Sequence, residues 1–116
     1  MSLANNCTFI GNLCADPELK IIESGEKRTS ILEGSLAINR KWKDKEGRVI
    51  EDTDFIPFSV FGKAAEIIQK YTKKGHQIAL QGEMRQEKWV DKETGGNRSK
   101  LNLRVENFQF LQNKRD

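Results

Sequence analysis

"DFIPFSVFGKAAEIIQKYTKKGHQIALQGEMRQEKW", residues Asp54 to Trp89, decides the fold, because within 36 residues the apolar period changes twice. Side chains of a strand alternate between two faces, so Ile56, Phe58 and Val60 share one side and Phe55, Pro57, Ser59 and Phe61 the other. The even set reads as core. The odd set carries two phenylalanines with only small or polar company, and Pro57, which cannot donate to a ladder, marks an edge, a bulge or an outward-facing amide. From Gly62 the spacing becomes helical: Ala64, Ile67, Ile68 and Tyr71 fit one stripe, Lys73 and Lys74 sit near the end, and Gly75 is the stop. Alternation then returns, with Ile78, Leu80, Gly82 and Met84 on one face and Gln81, Arg85 and Trp89 on the other. The pattern is strand, short helix, strand.

Working outward, "NNCTFIGNLCADPEL" (residues 5–19) opens with a β-rich run that stops at Asp16-Pro17. "IIESGEKR" (21–28) turns at Ser24-Gly25, as in a hairpin. In "SILEGSLAINR" (30–40) Leu36 and Ile38 alternate with Ala37 and Asn39, and Gly34 reads as a bulge or bend. "LNLRVENFQFL" (101–111) alternates through Leu101, Leu103 and Val105, then slips to Phe108 and Phe110, which predicts a bulge near Asn107. Three strands, a short helix and two strands in one small domain give an all-β fold with one helix: the OB-fold, a five-stranded Greek-key barrel with its helix between strands 3 and 4. The domain is expected over residues 5–112. Residues 1–4 read as a disordered or expression-derived N-terminus, and 113–116 as a short polar C-terminus.

Composition supports one folded domain: 116 residues, 32% charged, 36% apolar, net charge +3. No apolar run reaches the roughly 20 residues of a membrane-spanning helix, and no secretory signal opens the chain, so a cytoplasmic protein without a membrane partner is expected. Cys7 and Cys14 read as buried, unbridged thiols. The single histidine, His76, reads as a cap or a solvated side chain. The sequence has neither the ligand spacing of a metal site nor a nucleophile–base pair, nor a phosphate-binding glycine loop. No cofactor, small-molecule substrate or enzymatic activity is expected.

The functional signal is an echo. "KWKDKEGR" (Lys41–Arg48) and "KWVDKETGGNR" (Lys88–Arg98) both run Lys-Trp-x-Asp-Lys-Glu, then Gly, then Arg, and hold both tryptophans. Single-stranded nucleic acid presents a phosphate on every nucleotide and a π face on every base. A sequence-tolerant binder therefore needs exposed rings at intervals along a basic path. Trp42, Phe55, Phe61 and Trp89 are the stacking candidates. Arg40, Lys41, Lys43, Arg48, Lys63, Lys73, Lys74, Arg85, Lys88, Arg98 and Lys100 are the phosphate candidates. Gly47, Gly95 and Gly96 are expected to make the two loops flexible arms. The parity of Trp42 matches that of Leu36 and Ile38, the core side.

Taken in order, "FIGNLCADPEL", "LAINRKWKD", "DFIPFSVFGKAAE" and "KKGHQIALQGEMRQEKW" resemble the bacterial single-stranded DNA-binding protein family, from about Cys7 to Leu111. The resemblance implies an OB-fold that assembles into homo-oligomers, tetramers before dimers. Single-stranded DNA would wrap around them without sequence preference, in a nucleoid-associated role in replication, recombination and repair. It also implies that Trp42, Phe55, Phe61 and Trp89 stack on bases. The segment from Ile21 to Ser35 is longer than usual for the family, and Gly34 stands where a bulky residue is common. Pro57 and Glu87 stand at positions often basic. The family's Gly/Pro/Gln-rich tail with an acidic tip does not follow within "FLQNKRD" (110–116). RNA binding is a second expectation, since stacking platforms do not inspect the 2′-hydroxyl. A protein-interaction OB module of a primosome-like assembly, with weak nucleic-acid binding, is the alternative.

Overall fold

The computed structural model describes residues 3–111; the expected polar C-terminus at 113–116 and the first two residues of the expected N-terminal leader lie outside them. Six strands and one helix follow in order: β1 (Cys7–Leu13), β2 (Leu19–Ser24), β3 (Lys27–Lys43), β4 (Val49–Phe61), α1 (Lys63–Tyr71), β5 (Gln77–Val90) and β6 (Asn97–Phe110). Hydrogen bonding runs β1-β5-β6-β4-β3-β2, and a further pairing of β1 with β3 closes the ring. Five strands thus make the barrel, and β2 is an additional strand on its flank, paired only with the first part of β3. The hairpin expected at Ser24-Gly25 is this β2–β3 turn. It accounts for the length of the segment, which folds back on itself.

Alternation holds along β4. Phe58 and Val60 are buried and Ile56 packs against them, while Phe55 faces solvent. Full burial of a ring such as Phe58 stabilises by roughly 1.5–3 kcal/mol. The core joins Leu32 and Leu36 of β3, Ala65 and Ile68 of α1, Ile78 and Leu80 of β5, and Leu103 of β6. Gly34 makes no bulge. The β3–β4 register passes through Gly34↔Phe58 unbroken, and a Cβ there would lie 3.1 Å from the Phe58 ring. Glycine at this position leaves room for the Phe58 ring. Ser35↔Pro57 also sits in unbroken register, and pairing of β4 with β6 begins only at Phe58, so Pro57 stands where one flank of the strand has no ladder partner. The predicted bulge is present: Gln81 pairs Asn107 and Gly82 pairs Val105, leaving Glu106 as the extra residue.

The helix differs from its predicted stripe. Ala65 and Ile68 are its buried residues, and Tyr71 is exposed. α1 ends at Tyr71 instead of continuing to Gly75, because Thr72 closes it: its hydroxyl donates to the Ile68 carbonyl at 2.6 Å, and its backbone turns extended. The Tyr71 ring is left at the end of the helix, 6.2 Å from that of Phe110. The Ser30 hydroxyl donates to Glu66 (3.1 Å) and the Gly62 amide donates to the Ser30 carbonyl (2.7 Å), which straps the helix start to β3. His76 caps, its Nδ1 accepting from the Lys73 amide at 3.3 Å. Cys7 and Cys14 are free thiols, half-buried where burial was expected.

β4 and β6 pair in parallel, through Phe58↔Leu103 and Ser59↔Arg104 alone. The stretches preceding these residues, Val49–Pro57 and Asn97–Asn102, therefore leave the barrel from the same rim. Each remains paired with its own antiparallel partner, β3 or β5. Two β-ribbons thus diverge from one edge, and the long dimension of the molecule is 59 Å.

Candidate nucleic-acid interface

The two echoed motifs are the tips of these ribbons, and they are built alike. Asp44 Oδ1 accepts from the amides of Glu46 and Arg48 (both 2.9 Å), and Oδ2 accepts from Arg48 Nε at 2.9 Å. Asp91 Oδ1 accepts from the amides of Glu93 (2.8 Å) and Thr94 (3.4 Å), and Oδ2 from Arg98 Nε at 3.1 Å. Gly47 and Gly95 take φ values of 82° and 72°, a left-handed backbone that suits glycine in tight turns. The Arg48 amide holds the Asp44 carboxyl below its ordinary pKa, helped by the Glu46 and Gly47 amides and the Arg48 guanidinium, against partial desolvation. The Glu93 amide does the same for Asp91, with the Thr94 amide and the Arg98 guanidinium. The tips are hydrogen-bonded turns where flexible arms were expected. In each motif the Asp and the Arg close the turn, and the Trp and Lys residues are presented by it.

Cross-strand partners share a face, so the registers sort the candidate residues. Outward on β3–β4 lie Ala37 and Phe55, Lys41 and Glu51, Lys43 and Val49, with Phe61 at the barrel end. Outward on β5–β6 lie Trp89 and Arg98, Glu87 and Lys100, Arg85 and Asn102, Glu83 and Arg104. Phe55, Phe61 and Trp89 therefore share the outward face of one sheet. Phe55 is 62% exposed and Trp89 46%. Phe55 and Phe61 are six residues apart, roughly 20 Å along a strand. Between the arms' roots, Arg104 lays its guanidinium over the Phe61 ring, 4.2 Å from the centroid. At the fork, buried Asn102 donates to the buried Ser59 hydroxyl at 2.8 Å, satisfying both polar groups where β4 and β6 separate.

Trp42 lies on the opposite face of its ribbon. Its parity is that of Leu36 and Ile38, but β3 has by then run past the barrel, so no core lies beneath it and the ring is 43% exposed. Arg40 shares that face, its guanidinium 5.4 Å from the Trp42 centroid. Lys88 points to the side opposite Trp89, level with Ser99. Grooves of about 670 Å³ and 520 Å³ run along the two arms, the first including Arg40 and Phe55, the second Trp89 and Arg98.

The cations divide by whether they are already engaged. Arg40 is paired with Asp54 (Nε–Oδ2 2.8 Å) and Asp52 (Nη2–Oδ2 3.2 Å), Lys41 with Glu51 (3.1 Å), and Arg48 with Asp44 and Glu46. Arg98 is held by Asp91, and Arg85 approaches Glu83 at 3.8 Å. Among the described residues, Lys43, Lys88, Lys100 and Arg104 make no ion pair. Three candidates lie away from the arms. Lys73 and Lys74 precede β5, so the strand from Gln77 to Trp89 lies between them and that ring, roughly 40 Å of chain at strand rise. Lys63 opens α1 beyond Phe61. Arg104 was missed in the sequence, although it alternates outward between Leu103 and Val105. Its approach to Phe61 was not legible, because it depends on the parallel pairing.

Residues 4–111 match the family described as the single-strand binding protein family. The chain belongs to that family. A protein of Synechocystis sp. named Single-stranded DNA-binding protein 1 is 37% identical over 112 residues, which cover 97% of this chain and 87% of that protein. One of Helicobacter hepaticus, named Single-stranded DNA-binding protein, is 36% identical over 110 residues, covering 95% of this chain but 62% of its own length. A crystal structure of a deletion mutant of the single-stranded DNA binding protein from Thermus aquaticus superposes with a TM-score of 0.78 at 24% identity, over 95% of this chain and 51% of that one, and shows the same fold. In this family member no helix among the described residues is long and apolar enough to cross a membrane. Nor do the described residues hold a cluster of three or more metal-ligating side chains.

Proposed function

We propose that this chain is a non-enzymatic protein that binds single-stranded DNA without sequence preference and protects it during replication, recombination or repair. One observation carries the reading: Phe55, Phe61 and Trp89 share an outward sheet face with Arg85, Arg98, Lys100 and Arg104. Bases stack on the rings, at about 1–3 kcal/mol each, while phosphates follow the cations. Every base has a π face, so binding by stacking is tolerant of sequence. Its kinship with proteins named for single-stranded DNA binding supports the same reading.

Titration with oligo-dT, followed by tryptophan fluorescence at low and high salt, tests it. Quenching at low salt that weakens as salt rises is the expected result, with a log–log slope of roughly −0.7 per phosphate neutralised. An unresponsive signal at low salt would overturn it in favour of a protein-interaction module. Equal titration with oligo-rU would extend the substrate class to RNA.

The chain works as a homo-oligomer, a tetramer before a dimer. The barrel wall near the start of β5 supports this. Thr8, Ile10 and Asn12 of β1, Gln77, Ala79 and Gln81 of β5, and Asn107 and Gln109 of β6 form an outward face without a charge. In a chain that is 32% charged, an uncharged surface of this kind costs little to desolvate against a copy. Sedimentation equilibrium decides; a monomer at micromolar concentration would refute it.

A further inference from the structure

We propose that Asp52 and Asp54 act as resident phosphate substitutes on the Trp42 face of the first arm, and that single-stranded DNA engages this face only by displacing them from Arg40. The inference rests on the nucleic-acid reading above and adds the residues that set its affinity. Arg40 forks onto the two carboxylates, with Nε 2.8 Å from Asp54 Oδ2 and Nη2 3.2 Å from Asp52 Oδ2. This is the charge-assisted geometry a guanidinium offers a phosphate. The same guanidinium lies 5.4 Å from the centre of the Trp42 ring. The pair of carboxylates therefore holds a cation against one stacking platform. On the other face of the ribbon Glu51 occupies Lys41 at 3.1 Å.

Charge counting gives the consequence. Arg40 with two carboxylates is a site of net charge −1, which attracts no phosphate. The outward faces differ: Lys43 on the first arm, Lys100 on the second and Arg104 at the barrel between them make no ion pair among the described residues. DNA therefore seats first on the outward faces, along Phe55, Phe61 and Trp89, and the Arg40–Trp42 face of the β3–β4 arm is engaged second. Side chains of Arg40, Asp52 and Asp54 are each about half exposed, so the exchange needs no unfolding.

The test is the variant D52N/D54N, titrated with oligo-dT across a salt series beside the wild-type chain. Removing both substitutes leaves Arg40 a net +1. The expected result at low salt is roughly threefold to tenfold tighter binding, the span set by what exposed ion pairs are worth. The salt slope should steepen by about 0.7, for one more phosphate neutralised. E23Q/E26Q, on the β2–β3 hairpin at the far end of β3, adds the same two charges and is the control. Should D52N/D54N be poorly folded by circular dichroism, Asp54→Asn alone carries the test, since Asp54 makes the shorter pair. Unchanged affinity and slope in a wild-type chain that binds, or an equal gain in E23Q/E26Q, overturns this inference alone. A wild-type chain that ignores oligo-dT at low salt brings down the functional reading as well.

Discussion

Removal of one indole separates the two tryptophans, which the sequence presents as equals. Trp89 lies on the outward face shared with Phe55 and Phe61, whereas Trp42 lies on the reverse of its ribbon with a guanidinium 5.4 Å from its centre. Loss of a stacked base costs about 1–3 kcal/mol. At about 1.4 kcal/mol per factor of ten, Trp89→Ala should weaken oligo-dT binding roughly 5-fold to 150-fold. Trp42→Ala should fall below about 5-fold, because a base reaching that ring must first move Arg40 or use what Arg40 leaves uncovered. Both rings are about half exposed (46% and 43%), so neither anchors the core. Half of the 150–250 Å² an aromatic side chain can bury, at about 25 cal/mol per Å², bounds the folding cost near 2–3 kcal/mol from above. The assay is anisotropy of a labelled oligo-dT, which does not depend on the residues removed, paired with thermal melts. A neutral Trp89→Ala beside a strongly impaired Trp42→Ala would refute the assignment of faces. If the double variant were unfolded, both rings would belong to the core.

Three further predictions concern the scaffold. Asn102→Ala strands the buried Ser59 hydroxyl at the fork and should cost about 1–3 kcal/mol in denaturant melts; a variant as stable as the parent would show that hydrogen bond to be dispensable. At Gly82 a Cβ would fall 2.0 Å from the Arg104 carbonyl oxygen, so Gly82→Ala must push β6 away and should cost about 3 kcal/mol, the upper end for overpacking. Since Arg104 rides on the displaced segment, weakened oligo-dT binding should accompany that loss, and unaltered melting would disprove the close approach. The third is a pH effect with a fixed sign. Asp44 and Asp91 have folded pKa values below the ordinary 3.8. Their contribution to the turns is therefore present above pH 3.8 and lost as pH falls through the depressed values. Carboxyl NMR titration should place both midpoints below 3.8, and a midpoint at or above it for either residue would contradict the turn geometry.

Much of this protein was legible in its sequence because the information was local. A period of two, then about 3.6, then two again is a property of neighbouring residues, and it sufficed for the β4–α1–β5 order and for the core positions Phe58, Val60, Ile78, Leu80 and Leu103. The bulge showed itself as a slip of phase between Val105 and Phe108, and the β2–β3 hairpin as a polar turn. Parity also separated Phe55, Phe61 and Trp89 from the core. What the sequence could not contain was which strands meet. The parallel contact of β4 with β6 joins residues some 45 positions apart, and it alone sends both ribbons out of one rim and brings Arg104 onto Phe61. Tertiary structure likewise decided that Trp42, on core parity, has no core beneath it, because the strand outlasts the barrel. It also divided the lysines and arginines into engaged and free. Arg40 and Lys41 are engaged across strands at about 3 Å, a distance set by register, which composition and spacing along one chain do not encode.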